Sequence, residues 1–161
     1  MKMKKIFIDL DGTVARFNVP RALERFATEK GFFKNLKAYA GIDYVNALAK
    51  SGIVYVISAS PNLQADNDKI EWLSKYLPNI PLKNITICRV GENKAEIIKN
   101  KYQIEIDNTC YLLDDYTKNL IEWESAGGVG IKRLTRVANN STCKWKGKAI
   151  RHLAELGGAV A

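Results

Sequence analysis

Two aspartates, Asp9 and Asp11, stand two residues apart at the end of a short apolar run and just before Gly12 and Thr13. A continuous apolar run such as Ile6–Ile8 is typical of a buried parallel strand. In open α/β sheets the ligand crevice lies beyond the carboxyl ends of the strands, so both acids are expected there. Two carboxylates so close repel each other unless a cation or a shared proton intervenes. The pair therefore predicts a site for a divalent metal ion.

Four more polar residues follow apolar runs in the same way. Ser58 ends a second run, and Lys94 lies just past a third. Asp114 and Asp115 end a fourth. Taken singly, the serine would cap a helix, the lysine would lie on the surface, and the acids would stabilise a helix N-terminus. Because all of them fall at the ends of predicted strands, we interpret them as parts of one site with acids on two strands, a hydroxyl on a third and a cation beside them.

The rest of the chain alternates between segments of strand and helix character, which predicts an α/β fold with helices on both faces of a mostly parallel, five-stranded sheet. The predicted strands are short runs rich in Ile, Val, Leu or Tyr, at Lys4–Asp9, Ile53–Ser58, Asn84–Cys88, Thr109–Asp114 and Val129–Lys132. Helices are predicted in the remaining segments, at Pro20–Lys30, Asp43–Lys50, Ala65–Tyr76, Glu92–Tyr102, Thr117–Ala126 and Lys146–Leu156.

About 40 residues separate the first two predicted strands, which is more than one crossover helix needs. We expect a short cap or flap insertion at residues 14–45, in which Val14–Phe17 forms a flap and Gly31-Phe32-Phe33 forms a loop between helices. Because it directly follows the aspartate pair, the insertion is positioned to fold over the site. The length of 161 residues suits a single domain, 1–161, and the last residues, Gly157–Ala161, are predicted to form a frayed tail.

The composition is that of a soluble globular domain, with 47% hydrophobic and 26% charged residues. No stretch approaches the run of about 18 apolar residues that a membrane helix needs. The basic start, Met1–Lys5, precedes too few apolar residues for an export signal. The three cysteines have no paired spacing, which favours a reducing compartment. We therefore expect a cytoplasmic protein with no membrane partner.

The net charge of +8 is compatible with an anionic partner. Lysines and arginines are scattered, with modest clusters at Lys132-Arg133-Arg136 and Lys144-Lys146-Lys148. A solvated surface explains such clusters as well as a nucleic-acid footprint does, so both interpretations stay open.

In their order along the chain, the motifs resemble the four signature motifs of the haloacid dehalogenase (HAD) superfamily: Asp9-Leu10-Asp11-Gly12-Thr13, then Ser58, then Lys94, then Asp114-Asp115. Further details are similar to the 5′(3′)-deoxyribonucleotidase group within that superfamily. These details are the extension Thr13-Val14-Ala15-Arg16-Phe17, the cap segment Gly31-Phe32-Phe33-Lys34-Asn35-Leu36 and the continuation Asp114-Asp115-Tyr116. The resemblance implies a three-layer, Rossmann-like fold and a Mg²⁺-dependent phosphatase of phosphorylated small molecules, nucleotides in particular.

The resemblance also implies roles for the acids. Asp9 would be the nucleophile that forms an aspartyl-phosphate, and Asp11 would protonate the leaving alkoxide and then activate water. Asp9, the backbone carbonyl of Asp11, and Asp114 would be the protein ligands of Mg²⁺. Asp115 would orient water or a ligand from the second coordination shell.

For the substrate, the resemblance implies that Ser58, the N–H of Ala59, and Lys94 hold the phosphate oxygens. Lys83 and Arg89 are alternative cations for this contact. Aromatic residues of the insertion, Phe17 and Phe33 with Phe32, could stack on a base. They could equally form the insertion's own small core.

Other functions remain open. A polynucleotide 3′-phosphatase would suit the basic charge, and a sugar phosphatase would use the same chemistry. A response-regulator receiver, which is a binding switch, combines similar residues but needs an acid at the end of its third strand, where this chain reads Ile85-Thr86-Ile87-Cys88-Arg89. A degenerate domain that only binds phosphate is disfavoured because the expected catalytic side chains are present. His152 is expected to be structural or exposed rather than catalytic.

Overall fold

The computed structural model describes residues 2–17, 29–135 and 145–161. Within these residues a parallel sheet of six strands has the order β3-β2-β1-β4-β5-β6. The strands are β1 (Lys5–Ile8), β2 (Val54–Ser60), β3 (Ile85–Arg89), β4 (Cys110–Asp114), β5 (Val129–Arg133) and β6 (Lys148–Ile150). The predicted α/β class and parallel sheet are confirmed, with one strand more than the five expected.

The strand order reverses direction between β1 and β4, which are hydrogen-bonded neighbours at the centre of the sheet. Ile8 pairs with Leu113, so that Asp9 and Asp114 come next on adjacent strands. A reversal of this kind opens a crevice beyond the carboxyl ends of the two strands, and ligands bind in such crevices. The register of two buried strands thus brings the first and last acidic motifs to one point.

Helices cover both faces of the sheet, at α1 (Ile42–Ala49), α2 (Leu63–Tyr76), α3 (Lys94–Tyr102), α4 (Thr117–Ser125) and α5 (Leu156–Ala159), with short 3₁₀ turns at Leu82–Asn84 and Leu153–Glu155. Alternate residues of β1 point to opposite faces. Ile6 and Ile8 pack in one apolar core with α1, α2 and the C-terminal segment. Phe7 packs in the other core with α3 and α4, against Trp123.

The C-terminal segment differs from the prediction. The predicted helix Lys146–Leu156 is wrong, because Lys148–Ile150 pairs in parallel with Ile131–Arg133 and extends the sheet. The predicted frayed tail is also wrong: α5 covers Leu156–Ala159, and the Val160 side chain is buried in the core. A strand of only three residues leaves little local sequence pattern, and it forms by pairing with β5. The tail is likewise ordered by packing against other parts of the chain. Neither contact can be read from the local sequence, which explains both errors.

Within the predicted insertion of residues 14–45, a short neck joins residues 14–16 to residues 37–39. Ala15 bridges to Ala38, the N–H of Arg16 donates to the carbonyl of Lys37 (2.8 Å), and the N–H of Tyr39 donates to the carbonyl of Val14 (2.9 Å). The predicted helix Pro20–Lys30 lies mostly outside the described residues. Among the described residues, no helix has both the length and the apolar content to span a bilayer.

Candidate active site

The carboxyl ends of β1 and β4 share one buried cation. The ammonium of Lys94 donates to Asp9 Oδ1 (2.9 Å) and to Asp114 Oδ2 (2.7 Å). All three residues are buried. Asn119 donates to the same oxygen of Asp114 from Nδ2 (2.9 Å), and the N–H of Tyr116 donates to Asp114 Oδ1 (2.8 Å). The structure therefore joins three residues that the sequence placed in separate motifs.

Asp115 lies beside this group and is held by the loop that follows β1. Its N–H donates to Thr13 Oγ1 (3.1 Å), and Thr13 Oγ1 lies 3.3 Å from Asp115 Oδ1 and 3.4 Å from Asp9 Oδ2. Gly12 has a φ of +78°, and a Cβ there would lie 2.8 Å from Asp115 Cγ. Glycine therefore serves both the left-handed backbone and the close approach of this carboxylate.

Three of these carboxylates form a group that could hold a metal ion. Oxygen atoms of Asp9, Asp114 and Asp115 lie within 4.8 Å of one another. Mg²⁺ prefers hard oxygen ligands, and a cation removes the repulsion between crowded carboxylates. The donor set thus fits a divalent cation, and it includes Asp115 beside Asp9 and Asp114.

The electrostatics of the acids reflect their burial. Burial raises the pKa of Asp114, and burial together with the charges of Asp114 and Asp9 raises the pKa of Asp115 well above its ordinary value. Burial by itself lowers the pKa of Lys94, but Asp114 and Asp9 together raise it above the usual lysine value. Burial also raises the pKa of Asp11, although Lys69 acts in the opposite direction. A cluster of this kind favours cations and proton exchange.

Lys69, on α2, is a site residue that sequence reasoning missed. Its buried ammonium forms an ion pair with Asp11 and donates to Ser58 Oγ (2.9 Å) and to the carbonyl of Ala59 (2.6 Å). A weak signal existed, because Ala65, Lys69 and Trp72 share one face of α2 and the other two are buried and apolar. A lysine on the apolar face of a helix needs a partner, and here the partners are the strand ends.

The aromatic residues of the insertion contact the candidate site at Lys69. The Lys69 ammonium lies 4.6 Å from the centre of the Phe33 ring. Phe33 is buried and stacks with Phe17 at 6.2 Å with an interplanar angle of 7°, while Phe32 meets both rings edge-on. The three rings therefore form one aromatic cluster with one member against the site.

The two alternative cations lie elsewhere. Arg89 forms a two-fold hydrogen bond with Asp66 (2.8 Å for each contact). Lys83 precedes β3, at the amino end of the sheet and opposite to the acids. Of Lys94, Lys83 and Arg89, only Lys94 contacts Asp9 and Asp114.

Helix caps position both lysines. The Asn93 side chain accepts hydrogen bonds from the N–H groups of Ala95 and Glu96, so that α3 begins at Lys94. The Asn62 side chain accepts from the N–H of Ala65 at the start of α2. Caps of this kind fix where a helix starts, and hence where a side chain in its first turns points.

The fold and this constellation define the class of protein. Solved structures with a similar fold include a D,D-heptose 1,7-bisphosphate phosphatase from B. bronchiseptica complexed with magnesium and phosphate (TM-score 0.72, 14% identity, 97% of each chain covered). Another is a family IA HAD hydrolase from Entamoeba histolytica (TM-score 0.67, 15% identity, 98% of each chain covered). The fold is that of the HAD superfamily, as predicted.

Within that fold the chain belongs to the family described as 5′ nucleotidase, deoxy (pyrimidine), cytosolic type C protein, whose model matches residues 15–140. It is also 32% identical over 112 residues to 5′(3′)-deoxyribonucleotidases of Bacillus subtilis (strain 168) and Bacillus phage SPbeta. Each match covers 66% of this chain and 60% of the relative, so the chain spans 60% of the length of these relatives. The predicted resemblance to this family is confirmed.

Proposed function

We propose that this protein is a Mg²⁺-dependent phosphomonoesterase that hydrolyses deoxynucleoside monophosphates through an aspartyl-phosphate on Asp9. The observation that carries the proposal is the convergence of Asp9, Asp114 and Lys94 beyond the carboxyl ends of two central strands. Family membership and the relatives named as deoxyribonucleotidases support the choice of substrate class.

In the first step, a carboxylate oxygen of Asp9 attacks the phosphorus atom, and the bond from phosphorus to the leaving oxygen breaks. Asp11 donates its proton to the departing alkoxide. Burial raises the pKa of Asp11, which is the direction of change that proton donation requires. The nucleoside then leaves with its hydroxyl restored.

In the second step, Asp11, now a carboxylate, accepts a proton from a water molecule that attacks the phosphorus atom. The bond from phosphorus to Asp9 breaks, which releases inorganic phosphate and regenerates both acids. Lys69 contacts both Asp11 and Ser58, so it can hold the proton carrier in line with the phosphate-binding hydroxyl. Ser58, the N–H of Ala59, and Lys94 would bind the phosphate oxygens as charge develops on them.

A Mg²⁺ ion held by Asp9, the carbonyl of Asp11, and Asp114, with Asp115 alongside, would supply positive charge to neutralise the phosphate and reduce repulsion between the carboxylates. In the aromatic cluster Phe33 is buried against Lys69, so Phe17 and Phe32, which are partly exposed, are the members that could stack on a base. In this proposal residues 14–45 form a cap over a single domain, and the enzyme works in the cytoplasm.

The test combines one substitution with a substrate panel. We expect Mg²⁺-dependent release of phosphate from deoxynucleoside monophosphates, and we expect Asp9→Asn to lower kcat by about 10³-fold or more because it removes the nucleophile. Asp43→Asn, at an exposed acid of α1, is the matched control and should keep full activity. Full activity of Asp9→Asn, in protein shown free of deamidation, would refute the nucleophile assignment.

The substrate assignment is tested separately with the unmodified protein. Deoxynucleoside monophosphates should have a higher kcat/KM than sugar phosphates and aryl phosphates. Equal values across the panel would refute the nucleotidase assignment while leaving the phosphatase chemistry intact.

A further inference from the structure

A cavity of about 370 Å³ lies beside the neck of the insertion and apart from the candidate active site. Its lining includes three arginines, Arg16, Arg133 and Arg151, together with Tyr39 and His152. We call it the arginine pocket. None of the acids proposed for catalysis lines it, so it is a separate feature of the molecule.

The arginine pocket is nevertheless tied to the catalytic loop. Arg133 ends β5 at the carboxyl edge of the sheet, and its Nε donates to the carbonyl of Thr13 (3.0 Å). Arg16 follows Ala15, which bridges back to Asp11. The pocket therefore adjoins the loop that carries the aspartate pair.

Two of its guanidinium groups are held in place before any ligand arrives. The Cζ atoms of Arg133 and Arg16 lie 4.9 Å and 5.5 Å from the centre of the Tyr39 ring. Arg133 is buried, and its Nη1 donates to the carbonyls of Leu134 (3.0 Å) and Arg151. Groups fixed in this way lose little conformational entropy when they bind a ligand.

Within the described residues no carboxylate pairs directly with the arginines of the pocket, although the charges of Glu155 and Asp115 act on Arg133 from a greater distance. No acidic side chain there forms an ion pair with Arg16, Arg133 or Arg151, since the ion pairs found involve other cations. The carboxylate of Glu155 accepts hydrogen bonds from the backbone N–H groups of Arg151 (3.3 Å) and His152 (3.1 Å).

Arg133, the buried arginine of the pocket, also has N–H groups to which no described residue is hydrogen-bonded. The hydrogen bonds found for Arg133 within the described part of the chain use Nε and Nη1, and none uses Nη2. Arg16 and Arg151 have exposed side chains. Three positively charged guanidinium groups around one cavity thus offer N–H donors that no acceptor in the described part of the chain takes.

We propose that the arginine pocket binds a phosphate group. Guanidinium N–H donors match phosphate oxygens in pairs, and the strength of such charge-assisted bonds exceeds that of neutral ones. Two sources could supply the group: a second phosphate carried by a substrate that reaches across the Thr13 loop, or free inorganic phosphate. The first source rests on the proposed function, whereas binding itself does not.

The test follows the arginines directly. In ¹⁵N-labelled protein without divalent metal, the side-chain Nε–H signals are recorded while inorganic phosphate is added at constant ionic strength with chloride. We expect saturable shifts of the Arg16, Arg133 and Arg151 signals, assigned with single variants. In the double variant Arg16→Gln/Arg151→Gln, the midpoint, which is the phosphate concentration that gives half of the full shift of the Arg133 signal, should rise at least tenfold.

Lys50→Gln/Lys75→Gln is the matched control, because it removes the same charge from exposed positions away from the pocket and should leave the midpoint unchanged. Both altered arginines are exposed, so the double variant should melt at the temperature of the unmodified protein. The proposal would be overturned if the signal shifts increased linearly with phosphate concentration and did not saturate. It would also be overturned if the arginine and lysine double variants changed the midpoint equally.

A kinetic arm separates the two sources. If a second substrate phosphate binds here, Arg16→Gln/Arg151→Gln should raise KM for a deoxynucleoside 3′,5′-bisphosphate at least tenfold and leave KM for the monophosphate unchanged. If the arginine shifts are present but neither KM changes, the pocket binds free phosphate. Both results support phosphate binding, and the titration decides it even if no hydrolysis is detected.

Discussion

Each acid of the first motif contacts a buried lysine, Asp9 through Lys94 and Asp11 through Lys69. The two lysines come from different helices and contact different oxygens. Lys94 bridges Asp9 to Asp114, whereas Lys69 links Asp11 to the end of β2. The two aspartates therefore have separate electrostatic environments although one residue separates them, which suits separate chemical roles.

Replacement of Lys69 by Met should move the pH optimum of hydrolysis upward. Lys69 opposes the rise in the pKa of Asp11 that burial causes, so its loss leaves that pKa higher still. Asp11 then keeps its proton to a higher pH, and both limbs of the kcat profile shift upward. Lys75→Met, at an exposed lysine of the same helix, should leave the profile in place. An unchanged profile for Lys69→Met would separate Lys69 from proton transfer.

Sequence reasoning located the residues on loops and strand ends but not Lys69. Asp9, Asp11 and Asp114 could be predicted because acids that interrupt apolar runs have few structural explanations. Lys69 lies in a helix of a lysine-rich chain, and its importance depends on contacts with residues 10 and 11 positions away and with Asp11 across the sheet edge. Contacts of this kind exist only after folding.

At the scale of elements, the starts of two helices decide where the lysines point. α3 begins at Lys94 because the Asn93 side chain satisfies two N–H groups of the first turn. The predicted start at Glu92 differs by two residues from the observed one, which is a common uncertainty at helix ends. The cap nevertheless matters, since it fixes the direction of the Lys94 side chain toward β1 and β4.

Replacement of Asn93 by Ala should destabilise the protein by about 1 kcal/mol, because two N–H groups lose their acceptor. The melting temperature should fall by about 2–4 °C in a chain of this size, as followed by circular dichroism. Asn93→Ser keeps a capping oxygen and should recover most of the loss. Equal melting temperatures for the alanine and serine variants would argue against a capping role.

At the scale of the whole molecule, the two ends of the described chain meet. The Lys4 ammonium donates to the carbonyl of Val160 (2.6 Å), and the Val160 side chain packs in the core that contains Ile6 and Ile8. The C-terminal segment therefore supports the strand that ends at the acids of the candidate site. The sequence pattern did not predict this role, because a glycine-rich end gives no helical periodicity and its burial depends on distant partners.

Replacement of Val160 by Ala should lower the free energy of unfolding by about 1–3 kcal/mol through lost burial and a residual cavity. Val90→Ala is the matched control: that side chain is 68% exposed, and its change should stay within about 0.5 kcal/mol. Urea unfolding measures both values. A Val160→Ala variant as stable as Val90→Ala would mean that the C-terminal segment contributes nothing to the core.

If residues 14–45 form the cap that we propose, the neck at Ala15 and Ala38 would make most of it an exchangeable segment. The chain that enters the segment and the chain that leaves it are hydrogen-bonded to each other at the neck, so a different segment between them would place little constraint on the core strands. Each doubling of a loop's length adds only about 0.6 kcal/mol of closure cost. On the proposed function, substrate preference would then diverge by replacement of one continuous segment, while the aspartates, the lysines and the sheet that carries them stay as they are.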